Sequence, residues 1–257
     1  MRSSILSAAG CFARDTGTKF VRCLYLHTVL DDERDGFADL LRLVRNRGET
    51  ITTQHLLAII TGDAPVDGRY FHLSFDDGFA NVVRNGIHLM IEHGVTASLF
   101  VATSFVEADD RIVDHYCRHI MSYSAAMPVS TWAMLRDAHA AGFEIGSHTC
   151  HHARLSDISH DTEKLRSELE ESRKEIERRI GAPCLSFAWP YGTERDADDV
   201  SIAAVRQAGY TACFSAVRGR VTPGITDPFR IPRHQVEAAF PRLHKRAWIA
   251  GFREAGA

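Results

Sequence analysis

The feature that most limits how this chain can fold is a rhythm. Short apolar, β-prone runs recur at 20–26, 70–75, 97–102, 143–146, 184–188, 210–215 and 229–232, with helix-like stretches between them. Such strand, helix, strand alternation predicts parallel strands joined by crossovers. Phe37, Leu40, Leu41 and Val44 recur at helical spacing before Gly48. Thr52 or Thr53 caps a second helix to Ile60, and 82–92 reads as a third. Ser130 or Thr131 opens a helix that Gly142 stops. The longest, 162–180, puts Leu165, Leu169, Ile176 and Ile180 on one stripe beneath a charged, solvated face. Ile202 to Ala208 and 241–253 complete the series. A chain of 257 residues suits one domain of barrel size. The expectation is an α/β fold, a distorted seven-stranded (β/α) barrel over 1–257. Residues 1–19 form an N-terminal extension, with a short helix and a turn at 1–18, and 103–128 form a loop insertion over the site.

Several runs end in residues that carry chemistry. Leu73-Ser74-Phe75 gives way to Asp76-Asp77-Gly78, two adjacent carboxylates at the mouth of a strand. Neighbouring residues leaving a strand point in different directions, so one carboxylate can hold a metal while the other faces a water. A solvated Asp-Asp-Gly turn is the plain alternative. Phe143 to Ile145 leads into Gly146-Ser147-His148-Thr149-Cys150-His151-His152. His148 and His152, four apart, share one face if the segment is a helical turn, and both imidazoles then reach one cation. Two imidazoles with one carboxylate make a facial set with open positions; a surface histidine cluster is the alternative. Two such motifs at strand ends in one chain favour the site.

Ser74-Phe75-Asp76-Asp77-Gly78 and Ser147-His148-Thr149-Cys150-His151-His152 resemble the first and second motifs of the polysaccharide deacetylases, the NodB-homology or carbohydrate esterase 4 group. Leu155 extends the second motif as that family does. The resemblance implies a NodB-like barrel and an N-acetylated carbohydrate substrate. It implies Asp76 as general base and Asp77, His148 and His152 as ligands of a divalent metal, Zn²⁺ or another such as Co²⁺, Ni²⁺ or Mn²⁺. A water activated there attacks the N-acetyl carbonyl; His151 inherits no role. Leu26-His27-Thr28-Val29 is similar to the Tyr-His-x-Val element of members acting on poly-N-acetylglucosamine, which makes His27 the candidate general acid. Trp189-Pro190-Tyr191-Gly192 resembles the family's Arg-x-Pro-Tyr-Gly motif, so that the Tyr191 amide would help hold the oxyanion. Ala188 replaces the motif's arginine. The cation beside Asp76 is then sought in Phe229-Arg230-Ile231-Pro232-Arg233, with Arg230 first and Arg233 second. A noncatalytic carbohydrate-binding relative and an enzyme deformylating a lipid-linked sugar stay open. Metal-dependent phosphoester hydrolysis would call for more carboxylates.

Composition narrows the partners. A net charge of -3 with 25% charged residues carries no electrostatic footprint for nucleic acid. Six scattered cysteines fit neither a zinc finger nor a disulfide scaffold and read as reduced, mostly buried thiols. The apolar stretch Ile5 to Phe12 is broken by Ser7 and Gly10, and no run reaches bilayer length; a cytoplasmic protein with no integral membrane segment is expected.

Overall fold

The computed structural model describes residues 19–252, so the helix and turn expected at 1–18 lie outside it. Its strands are β1 (Phe20–Leu26), β2 (Glu49–Thr50), β3 (Arg69–Phe75), β4 (Ser98–Val101), β5 (Glu144–Ser147), β6 (Ser186–Ala188), β7 (Ala212–Phe214) and β8 (His234–Gln235). They lie side by side in the order β7-β6-β5-β4-β3-β1-β8, with β2 beside the start of β3. All the strand ladders are parallel. The longest register, from Phe20 against Arg69 to Leu26 against Phe75, brings the ends of β1 and β3 level.

Period-two alternation feeds two cores. One face of β1 gives Val21 and Cys23 to a cluster with Phe100, Phe214 and Ile231, and Leu56, Ile59 and Ile60 of the helix Thr53–Thr61 join it. The other face gives Leu24 and Leu26 to a larger cluster with Phe37, Leu40 and Leu41 from the helix Arg34–Arg45 and Leu165, Leu169 and Ile176 from Thr162–Ile180. Burial on both faces is what a parallel sheet wrapped by helices requires. Packing, more than surface charge, holds Thr162–Ile180. An exposed pair such as Lys174 with Glu170 is worth about 0.3–0.5 kcal/mol, whereas each buried Leu or Ile contributes roughly 1.5–3 kcal/mol.

The expected strand at 229–232 is a correction. Ile231 makes a single bridge to Phe214, pairing resumes only at β8, and β8 lies on β1. Pro232 between them has no N–H to donate, so a ladder cannot run through it. The interrupted segment nevertheless spans from β7 to β1 and closes the barrel. Helix 82–92 is also modified, opening with a π-helical turn (Val82–Gly86) before Ile87–Glu92. The insertion at 103–128 carries a short helix (Asp110–His115) and a π-helical turn (Tyr116–Ile120). Phe105, Val113, Tyr116 and Cys117 from this segment form a small core with Phe79, which follows the Asp-Asp-Gly turn. The five described cysteines are buried free thiols, and among the described residues no helix is long and apolar enough to cross a membrane.

Candidate active site

Each motif residue leaves the carboxyl end of a parallel strand: His27 after β1, Asp76 and Asp77 after β3, His148 after β5, Tyr191 after β6. That end of a barrel is where active sites are built. All five line one cavity of about 240 Å³, together with Tyr25, Arg233 and residues Ile120 to Ser122 of the 103–128 segment.

The turns that deliver them are unusual. Asp77 has φ +74°, Thr149 +66°, His152 +55° and Tyr191 +63°, all in the left-handed region. Non-glycine residues there cost of order 1–3 kcal/mol each and persist only where surrounding contacts dictate them. Gly192, at φ +75°, is required for a second reason: a Cβ would stand 2.4 Å from the Ala216 Cβ. His148 and His152 therefore meet through a tight turn, not the helical turn that their spacing suggested.

Asp77, His148 and His152 are buried and offer one donor atom each within 4.8 Å of one another. Both histidine Nε2 atoms lie 3.5 Å from Asp77 Oδ1. Two ligand atoms each about 2.05 Å from a tetrahedral ion stand about 3.3 Å apart, so this spacing suits a shared cation better than direct hydrogen bonds. His148 Nδ1 is 2.6 Å from the Ala188 carbonyl; donating there leaves Nε2 free to ligate. The backbone of the residue that replaced the motif arginine thus orients a ligand. Both Asp77 carboxylate oxygens are buried with no hydrogen-bond partner among the described residues. Such groups are normally satisfied, and a cation would satisfy these. The donor set fits a divalent metal.

The arginine beside Asp76 is Arg233, which corrects the first expectation. Arg230 points outward to Asp199 at 2.6 Å on the surface. Arg233 is fully buried, and its Nη1 and Nη2 donate to Asp76 Oδ1 and Oδ2 at 2.8 and 2.7 Å. Nη1 also donates to Ser74 Oγ and Nε to the Ser215 carbonyl. Burial would lower the Arg233 pKa; the Asp76 carboxylate outweighs it and raises it.

His27 faces Glu237, with Nδ1 3.5 Å from Oε1. Burial pulls its pKa down, yet the contact with Glu237 and the charges of Asp77 and Asp76 push it up to about 9. Glu237 was not singled out in the sequence. The Tyr191 ring, 42% exposed, lies edge-on to His152 at 4.8 Å and under the Arg154 guanidinium at 4.1 Å. Arg154 is ion-paired with buried Asp196, which accepts from Thr193 and so fixes the loop after Tyr191.

A family model described as polysaccharide deacetylase matches residues 63–213. The chain belongs to the polysaccharide deacetylase family. It is accordingly a carbohydrate N-deacetylase, a hydrolase. The match takes in Asp76, Asp77, His148, His152 and Tyr191 but stops short of His27, Arg233 and Glu237. Among solved structures, IcaB from Ammonifex degensii is similar over 90% of this chain and 97% of its own, at 19% identity and TM-score 0.74. The BpsB deacetylase domain from Bordetella bronchiseptica is similar over 85% and 96%, at 21% identity and TM-score 0.70. Deacetylase PplD from Streptococcus pyogenes, in complex with acetate, is similar over 88% and 96%, at 13% identity and TM-score 0.70. At these identities they show the shared fold, the distorted (β/α) barrel. No curated protein sequence matches the chain.

Proposed function

We propose that the polysaccharide deacetylase removes the N-acetyl group from an amino-sugar residue of a surface polysaccharide or its precursor, using a divalent cation, Zn²⁺ first among them, held by Asp77, His148 and His152. The observation that carries this reading is the buried, unpartnered Asp77 carboxylate between two imidazoles, with the Arg233-bound Asp76 beside it. A cation held by Asp77, His148 and His152 would lower the pKa of a water and polarise the acetamide carbonyl. Asp76 takes the proton from the attacking water. The Tyr191 amide donates to the developing oxyanion. His27, held protonated by Glu237, gives its proton to the departing nitrogen; acetate and a free amino sugar leave.

Protein purified without added metal is expected to carry about one equivalent of a divalent ion. It should release acetate from N-acetylated chitooligosaccharides or poly-N-acetylglucosamine, lose that activity to a chelator and regain it with Zn²⁺. Formate release from a formylated sugar with no acetate release would move the acyl specificity. A protein that takes up no metal even on reconstitution would sink the ligand assignment.

The acid role has a pH signature. An acid must be protonated, so turnover fails on the alkaline side as His27 loses its proton. A dication on Asp77 offsets the aspartates' contribution, leaving Glu237 as the group that keeps His27 charged. Glu237→Gln is therefore expected to move the alkaline limb of kcat/KM down by about one pH unit, with little change near pH 6. An alkaline limb that stays in place would remove Glu237 from this role.

A further inference from the structure

His151 stands between the two ligand histidines, and its neighbour across the turn is a buried charge. Glu168 projects from the inward stripe of Thr162–Ile180, its side chain 8% exposed. Its Oε2 accepts the N–H of Cys150 at 3.0 Å and of His151 at 2.9 Å, and its Oε1 lies 2.7 Å from His151 Nδ1. The segment it grips contains two left-handed residues, Thr149 and His152. For a β-branched residue such as Thr149 that conformation is a genuine outlier, so the turn does not hold its shape by local preference. A buried carboxylate is weak evidence for net stability, because the hydrogen bonds it accepts are set against the cost of taking its charge out of water. Net stability is thus a poor reason for the arrangement; what it fixes is the path of the backbone between His148 and His152.

We infer that Glu168 is a positioning residue for the metal set, a clamp that holds the 149–152 turn so that both Nε2 atoms stay on Asp77. The inference rests on the reading of Asp77, His148 and His152 as a cation site. It needs one acceptor oxygen, held at the full reach of the side chain where it takes both backbone N–H groups, and does not need the charge. A carboxylate acting on the cation through its charge would need the reverse.

The test is Zn²⁺ affinity by chelator competition, with the visible spectrum of the Co²⁺-loaded protein, on wild type and four variants. Glu168→Ala should lose about 10–100-fold in affinity and change the cobalt spectrum, as loss of a partner behind a ligand does. Glu168→Gln keeps a carbonyl for both amides and an N–H₂ for His151, and should bind within about threefold of wild type. Glu168→Asp, which keeps the charge, falls short of the turn and should lose about fivefold or more. His151→Ala, at a side chain 65% exposed, leaves both backbone contacts and should bind as wild type does. Wild-type affinity and cobalt spectrum in Glu168→Ala, whatever its Tm, would overturn the clamp. So would loss in Glu168→Gln with retention in Glu168→Asp. Wild-type protein that binds neither ion would instead overturn the cation site beneath it, and the clamp with it.

Discussion

Asp76→Asn is expected to lower acetate release by about 10³-fold while the protein still takes up its cation. The loss follows from what the side chain touches. Asp76 is 4% exposed, and each of its oxygens accepts one Arg233 N–H. A carboxylate oxygen has a second lone pair, so the paired Asp76 can still accept a proton from a water in the cavity. An asparagine amide cannot. It also turns an N–H₂ toward a guanidinium N–H, replacing one hydrogen bond by a clash of donors, so a stability loss of about 1–3 kcal/mol should accompany the change. Asp77, His148 and His152 are untouched, and metal content is the control. Asp77→Asn should show the opposite separation, with weakened metal uptake as the primary defect. Activity within tenfold of wild type in metal-loaded Asp76→Asn would remove Asp76 as the base.

How much of this was legible in the sequence depended on distance along the chain. Asp76 and His148 each come directly after a strand, with Asp77 and His152 one and four residues further on, so local pattern puts the motifs at strand ends. The shape of the turn between the histidines is not legible, because a spacing of four also fits a helical turn and nothing local announces left-handed Thr149 and His152. Arg230 and Arg233 flank the same Ile231-Pro232 pair, and local sequence does not rank them. Their order is decided by Pro232, which breaks the expected strand, and by the bridge from Ile231 to Phe214 and the pairing of His234 with Leu24. Arg233 lies between those two anchors, where its amide bonds Val217 and its side chain enters the barrel. Glu237 reaches His27 across nearly the whole chain, and Glu168 reaches the histidine turn from a helix that otherwise reads as an amphipathic surface helix. Glu168 sits in a charge-rich run and Glu237 in a short segment without motif or periodicity, and no sequence signal separates either from a solvated glutamate.

Arg233→Met carries the other large effect, and it falls on stability and activity together. Arg233 is enclosed by the Tyr25 ring, 4.4 Å from its guanidinium carbon, with Phe100 and Phe214 within 6 Å. Removing the cation leaves the Asp76 carboxylate buried without a counterion, a defect worth about 3–5 kcal/mol. For a chain of this length each kcal/mol shifts Tm by about 2–4 °C, which places the expected fall between about 6 and 20 °C. The bare carboxylate is then driven toward its neutral form, which cannot act as a base, so turnover should fall with it. Arg233→Lys should rescue only in part, since an ammonium cannot span both oxygens of Asp76 while also serving Ser74 and Ser215. Arg233→Met combined with Asp76→Leu removes both charges. Its Tm is expected to recover most of the loss, because an apolar pair of similar volume replaces a buried ion pair nearly neutrally. The double variant should remain inactive, its metal ligands intact. That outcome would assign the stability defect to the orphaned carboxylate and the activity defect to the absent base. Arg233→Met with wild-type Tm and turnover would mean that Asp76 needs no counterion and that Arg233 does not stand in for the motif arginine.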